Sequence, residues 1–349
     1  MAITINLFGF QALTEAVNLM KPVPSYIKDL LFKREDTFAT KAVLIDLIIG
    51  GQKILPIVKR GNPGKLMSNT SLKSNLVEPP QLKPKKFMTA DELYYTRGAG
   101  APLFVPGGSS GVDPILNARK QKYAIEQKDM LDAINRTIEF LCCKGLSGSY
   151  SIAQEDGTWA IDFSMPSANK PTLTTTAKWD APTTCTPIAN LAAWKVVAQN
   201  ASGKIPTVAI MSVNTYNKFI AAAEVQDKLN KLNIKMGTIQ TDTSLLEKGA
   251  EKKGNIENID IVVYNGIYTD SAGAQQQLIP DGVVALVSPN ADHRLLYGGI
   301  DDLEAGTVQA KYFSKDWIEK DPSGIWLLTQ SNPLPAFCEP AANIYATVY

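Results

Sequence analysis

The chain has 349 residues, room for about two or three folding units, and its 45% hydrophobic and 20% charged content excludes wholesale disorder. A formal net charge of +1 excludes a polycation built to coat nucleic acid. The charge is unevenly spread: residues 1–100 hold 14 Lys/Arg against 8 Asp/Glu, and Lys53 to Arg97 hold nine basic and three acidic residues. A basic segment on a mildly acidic body predicts contact with an acidic neighbour, such as another copy of the chain.

The opening run MAITINLFGFQALTEAVNLMKP lacks a basic start and carries Glu15, so it is a poor secretion signal. No apolar stretch reaches the length of about 18–20 residues that crosses a bilayer, so the chain is expected to stay inside the cell that makes it, without a membrane partner. Leu13, Ala16, Val17 and Met20 recur at helical spacing until Pro22 and Pro24 stop the run. Ile27, Leu30 and Leu31 form a second short patch. Neither patch is large enough to be a core, which predicts an arm that docks elsewhere.

From Phe38 to Gly98 the pattern turns to strands. KAVLIDLIIGGQKILPIVKRGNPG holds two β-rich runs broken at Gly50–Gly51 and ends in a turn. A polar tip from Ser68 to Asn75 precedes an extended run punctuated by Pro79, Pro80 and Pro84. Strands out and strands back predict a two-stranded projection, too thin to stand alone in water. The arm and this ribbon are therefore both expected to rest on sister copies.

GAGAPLFVPGGSSG reads as a hinge, with Gly98, Gly107, Gly108 and Gly111 in it. Asp113 as cap and Pro114 at the first position then open the strongest helix. Leu116, Tyr123, Met130, Ile134, Ile138 and Leu141 keep one apolar stripe until Gly145 supplies a stop. Asp113 to Lys144 is a rod of roughly 48 Å. A hairpin around Asp156–Gly157 follows, then a Thr/Pro/Ala-rich connector from Pro166 to Thr186.

Next come alternating elements: a helix capped at Thr186–Pro187, the buried strand TVAIMS, one helix over VNTYNKFIAAAEVQDKLNKL and the buried strand IDIVVYNG. With the hairpin-like IYTDSAGAQQQLIPDGVVALVS they predict a compact α/β unit. Gly237 to Lys253 is expected to hold a short helix at best. The final part reads as long antiparallel strands joined at DPSG, with Val308, Ala310 and Tyr312 alternating, then Ile325, Leu327 and Thr329.

Little here suggests chemistry. Cys142, Cys143, Cys185 and Cys338 form no CxxC pair and read as buried free thiols. The single histidine, His293, lies in ADHRLLYGGIDDLEAG beside Asp292 and Arg294 and just before Asp301 and Asp302. Adjacent residues on a strand point to opposite faces, so Asp292 does not orient His293, and Asp301 with Asp302 does not chelate one metal from an extended chain. The segment instead reads as a core strand, a turn at Pro289–Asn290 and a surface stretch whose Arg294, Asp301 and Asp302 are ion-pair partners at a subunit contact. Trp159, Trp317 and Trp326 sit in strand patterns without clustered basic neighbours, which predicts core packing rather than base stacking. The basic ribbon, with Lys59, Arg60, Lys83, Lys85 and Lys86, suits a phosphate backbone or a protein surface, and its prolines fit protein contact at least as well. No dinucleotide fingerprint or phosphate loop occurs, so no cofactor is expected.

The order of parts, with LLFKREDTFATKAV, QLKPKK, VALVSPNADHRLLYGGIDD and above all DWIEKDPSGIWLLTQSNPLP, resembles the major capsid proteins of tailed bacteriophages, the lambda-like major capsid protein E family. The resemblance spans nearly the whole chain. It implies an α+β capsid fold: an N-terminal arm at 1–38, an extended loop at 39–100 laid across a neighbour, and a peripheral domain at 101–185 with its spine helix at 113–144. An axial α/β domain at 186–305 and peripheral strands at 306–349 complete it. It further implies a non-enzymatic shell of pentamers and hexamers, icosahedral, assembled in the host bacterial cytoplasm around double-stranded DNA and ending in the virion. Its partners would be a scaffolding protein, a portal and a decoration protein. No motif here names residues for a covalent cross-link. A cellular nanocompartment shell and an α/β hydrolytic enzyme are the rival readings.

Overall fold

The computed structural model describes residues 10–20, 25–49, 71–89, 92, 114–154, 157–231, 243–270, 273–304 and 309–349. The expectations at Gly50–Gly51, Lys59, Arg60, Gly98 to Asp113, Asp156 and Val308 lie outside these residues, and at Leu116 only the backbone is described.

The N-terminal segment corrects one expectation at once. Helices α1 (Phe10–Leu19) and α2 (Tyr26–Leu31) fold back on their own chain rather than waiting for a sister copy. Leu13 packs with Met88, Tyr123, Met130 and Leu327. Val17, Tyr26, Ile27, Leu31 and Phe32 are buried in the main core. Patches too small to form a core can still complete one. Strand β1 (Arg34–Thr37) continues the docking.

Strands β2 (Val43–Ile49) and β3 (Ser71–Val77) pair antiparallel from Val43↔Val77 to Ile49↔Ser71. Period-two alternation divides the ribbon into two faces. Val43, Ile45 and Leu47 are buried in the main core, whereas Leu44 and Leu76, directly opposite each other, are 57% and 71% exposed. The base of the ribbon is thus half-supported by its own body. Strand β4 (Lys85–Thr89) then leaves it for another sheet.

Helix α3 runs Pro114–Gly145, as the stripe predicts. Tyr123, Met130, Ile134, Ile138 and Leu141 are all buried. Gly145 is the last helical residue for a reason other than a left-handed stop: a Cβ there would collide with the Phe337 ring and lie 2.7 Å from the Tyr150 hydroxyl. The positive φ belongs to Gly148, at 81°. Strands β5 (Ser149–Gln154) and β6 (Gly157–Asp162) form the expected hairpin.

Helix α4 (Pro187–Ser202) starts after Thr186, whose side chain makes no cap bond. Its N-terminal N–H groups at Ile188 and Ala189 go instead to the Glu224 carboxylate, at 2.9 and 3.3 Å. Strand β7 (Val208–Met211) is followed by two helices where one was expected, α5 (Val213–Ala221) and α6 (Ala223–Lys231). Ala222 is extended between them, with its N–H on the Phe219 carbonyl. The short helix expected between Gly237 and Lys253 is α7 (Thr243–Leu246), and it is followed by a strand that was not expected, β8 (Ala250–Ile256). Its sequence AEKKGNI has no apolar alternation because both faces of this edge are exposed.

Strands β9 (Ile259–Tyr264), β10 (Ile267–Thr269), β11 (Gln275–Gln277), β12 (Val283–Val287) and β13 (Arg294–Tyr297) lead to β14 (Phe313–Lys320), β15 (Ser323–Gln330), β16 (Pro333–Ala336) and β17 (Ile344–Thr347). The α/β unit is built on a five-stranded mixed sheet, β17-β12-β7-β9-β8, in which β7 and β9 are parallel. Trp179, Trp194, Phe219 and Val225 pack on it with Ile261, Leu286 and Ile344. Because β17 belongs to this sheet, the segment 306–349 does not stay with one body, and its last strand crosses into the α/β unit. A three-stranded sheet, β14-β15-β4, sits against α3, and β1-β13-β16 forms a third.

Candidate assembly surfaces

The opening suspect for chemistry is architectural. His293 is 2% exposed, its Nε2 accepts the Asn343 side-chain amide at 2.9 Å, and its ring lies against Phe337 and Phe32. Burial, with the nearby Lys204 ammonium second, pushes its pKa down to about 3, so the ring is neutral near pH 7. Asn343 in turn accepts the Ser288 N–H at 3.1 Å through Oδ1. The stretch after Pro289–Asn290 is not a surface stretch: Ala291, His293, Leu295, Leu296 and Tyr297 are buried, because β13 is the central strand of its sheet.

The charges expected at subunit contacts find partners mostly inside the chain. Arg294 holds Asp292 with two bonds, Nε to Oδ1 at 3.3 Å and a terminal nitrogen to Oδ2 at 2.7 Å, which keeps the Asp292 carboxyl low. Asp302 pairs with Lys315 at 2.7 Å. Lys86 bridges Glu126 at 2.8 Å and also meets Asp129, pinning β4 to α3. Lys85 lies over the Trp326 ring at 3.6 Å and over Trp317 at 4.9 Å. Asp301 and Lys83 make no ion pair among the described residues, and Lys59 and Arg60 lie outside them.

Other groups escaped the sequence reading. Trp317 and Trp326 are cross-strand partners that stack at 6.2 Å on the sheet face away from α3, half-buried and covered by Lys85. Core packing with no basic neighbour was therefore wrong for this pair, since register, which sequence alone does not give, brings the lysine over them. Glu35 sits between Lys28, at 3.0 Å, and Lys311. Burial pushes its carboxyl up, but the two lysines outweigh that and hold it below the ordinary range. Glu139, 4% exposed, accepts three donors from two other elements.

Among the described residues the thiols and carboxylates do not gather into a site. All four cysteines are free and buried, and burial raises their thiols. Among the described residues no cluster of His, Cys, Asp and Glu could hold a metal, and no helix is long and apolar enough to cross a membrane. A groove of about 470 Å³ between β3 and β6 is lined by Ser74, Leu76, Val77, Glu78, Trp159 and Asp162. Its one hydroxyl nucleophile, Ser74, donates to the exposed Asp46 carboxylate at 2.5 Å, and no histidine lines the groove.

A long helix carrying a three-stranded sheet, with an α/β unit and a ribbon bearing an exposed Leu44–Leu76 pair, is the fold of a phage capsid protein. The solved putative capsid protein of a prophage from E. coli CFT073 shares it with a TM-score of 0.71, at 18% identity over 98% of this chain and 99% of that one. A phage-related protein from Bordetella bronchiseptica RB50 follows at TM-score 0.52 and 14% identity, over 96% and 95%. The chain matches the family described as phage major capsid protein E over residues 9–348, and it belongs to that family. Curated relatives are the P21 prophage-derived major head protein of Escherichia coli O6:H1 and the major capsid protein of Enterobacteria phage P21. Each is 24% identical over 329 residues, covering 89% of this chain and 90% of the relative. The protein is a structural component of a viral shell and not an enzyme, and these relatives do not favour the nanocompartment reading.

Proposed function

We propose that the chain builds an icosahedral shell of hexamers and pentamers that encloses packaged double-stranded DNA. The supporting observation is the ribbon, whose Leu44–Leu76 pair is bare while its other face is buried. An apolar cross-strand pair on a protruding element is best accounted for by a surface that covers it, and a sister copy supplies one. In this reading residues 1–38 are the arm, now anchored on its own body, and 39–100 cross to the neighbour. Residues 101–185 with helix 113–144 form the peripheral domain, 186–305 the axial domain, and 306–349 the return. Interfaces of about 2,000–5,000 Å² per contact suit such permanent assemblies.

Lys59, Arg60, Lys83 and Asp301 are the charges left for inter-subunit contacts, while Lys85, Lys86, Arg294 and Asp302 hold the subunit together. Gly98, Gly107, Gly108 and Gly111 form the hinge that fits one sequence to two ring sizes. Scaffolding protein, portal and decoration protein are the partners, and assembly takes place in the bacterial cytoplasm before the shell ends in the virion. The test is expression in bacteria with electron microscopy and gel filtration. Closed shells or capsomers are expected, and a sharp monomer at every concentration would sink the reading. Gly107→Pro with Gly108→Pro should block shell formation or expansion.

A further inference from the structure

Strand β14 is the edge of a three-stranded sheet, and among the described residues no strand pairs with its outer side. Helix α1 lies along part of it. Thr14 Oγ1 accepts the Ser314 N–H at 3.1 Å and donates to the Ser314 carbonyl at 3.2 Å. Those are the two bonds that a paired residue on an adjacent antiparallel strand would make. One turn further, Asn18 Nδ2 donates to the Tyr312 carbonyl at 3.2 Å. Two polar side chains thus stand in for a strand.

The same alternation turns the backbone groups of Asp316, Ile318 and Lys320 outward. Their local substitutes are poor: the Lys320 N–H reaches only the exposed Glu319 carboxylate, at 3.3 Å. Two other sheet edges, β4 and β8, are defended. β4 carries Lys85 and Lys86 and follows Pro84, and β8 is charged and irregular between Lys252 and Gly254. On β14 the middle of the open stretch is instead an isoleucine, Ile318, 55% exposed.

The spacing Asp316-x-Ile318-x-Lys320 is complementary to itself. In an antiparallel pair centred on Ile318, each Asp316 faces the other copy's Lys320, and Ile318 faces its own equivalent. Opposite charges across strands attract, and such a two-fold contact uses one patch twice. Burial pushes the Asp316 carboxyl up, against the pull of the Tyr123 hydroxyl that donates to it, until a lysine reaches it. We propose that the β14 edge from Asp316 to Lys320 pairs with the same edge of a second copy, with α1 guarding its approach through Thr14 and Asn18. This rests on the shell reading, in which two-fold contacts join neighbouring rings. Since α1 runs antiparallel to β14, from Asn18 at Tyr312 to Thr14 at Ser314, its first turn lies near Asp316 and must shift for pairing.

The test is Ile318→Cys in assembled particles. Directly opposed residues of a hydrogen-bonded pair have Cα atoms about 5.5 Å apart, within disulfide reach. Mild oxidation should give a dimer band on a non-reducing gel. Ile267→Cys, at a site equally exposed at 55%, is the control and should give none. Adding Lys320→Asp, which sets acid against acid, should cut the dimer yield several-fold, and Thr14→Val should raise it in unassembled subunits. Particles that form normally but yield no more dimer from Ile318→Cys than from Ile267→Cys would overturn the pairing while leaving the shell intact. Failure of the unsubstituted chain to form particles would instead defeat the shell reading.

Discussion

The carboxylate of Glu139, near the C-terminal end of α3, accepts the backbone N–H of Ile27 at 2.7 Å. Its other oxygen takes the Lys28 N–H at 3.0 Å, and the Tyr264 hydroxyl donates to Oε1 at 3.0 Å. One buried side chain therefore caps the arm helix α2, whose own Ser25 makes no side-chain cap bond, and ties it to β9 of the α/β unit. Burial pushes this carboxyl up against the pull of its three donors. The arm is fastened within the main core.

Removing that carboxylate should loosen the arm first. Glu139→Ala strands three buried donors, at about 1–3 kcal/mol for each group left unsatisfied if nothing relaxes. We expect a total loss of about 3 kcal/mol, since water will reach part of the space, and about 1 kcal/mol for Glu139→Gln, which keeps an acceptor. Hydrogen exchange should speed up at Ile27 and Lys28 before it does in β7 or β12. Uniform acceleration across the chain would contradict the assignment.

His293 predicts an acid-sensitive subunit. Its folded pKa, about 3, lies below the unfolded value, so the unfolded chain binds the proton more tightly. The stability owed to a neutral ring is complete above about pH 6.5 and falls away as the pH drops toward 3. The slope from this group is about 1.4 kcal/mol per pH unit between roughly pH 6 and pH 4. Denaturant unfolding across that range should show a shallower slope, by about one proton, in His293→Phe. An unchanged slope would show that His293 is protonated in the folded state.

Much of the fold was legible because burial leaves periodic marks. The α3 stripe, the continuous apolar runs of β7 and β12 and the alternation of Ile325, Leu327 and Thr329 in β15 follow from the face each residue covers. The alternation read at Ala310 and Tyr312, by contrast, falls before β14, which begins at Phe313. What stayed illegible depends on pairing at long range. β8 carries only the charges of an exposed edge, and β17 joins β12 by a register no local pattern encodes. The two-faced ribbon base was visible in Val43, Leu44, Ile45 and Leu47, but its support by the chain's own core was not. The intrachain partners of the charged residues were hidden for the same reason: Lys86 meets Glu126 only because β4 lies on α3.

Gly145 should tolerate no side chain. In Gly145→Ala the new methyl group overlaps the Phe337 ring and crowds the Tyr150 hydroxyl, which donates to the Pro335 carbonyl at 2.7 Å. Overpacking of this kind costs about 1–3 kcal/mol. Gly254→Ala, with nothing within 4 Å of the added carbon, should stay within about 0.5 kcal/mol. Equal midpoints in a denaturant titration would refute the packing argument.

The ribbon separates folding from assembly. Leu44 and Leu76 are exposed in the subunit, so Leu44→Asp with Leu76→Asp should move its stability by no more than about 0.5 kcal/mol per site. If a sister copy covers the pair, two carboxylates would have to be desolvated in each contact, and burying unpaired charges is far costlier than that. The contact repeats around every ring, so the penalty multiplies with each subunit added. The expected outcome is a soluble, folded monomer by circular dichroism and no particles by electron microscopy. Val43→Asp should behave in the opposite way, unfolding the subunit, because that side chain is 1% exposed in the subunit's own core. Normal shells from the Leu44→Asp, Leu76→Asp variant would mean that this face looks onto solvent in the assembled particle.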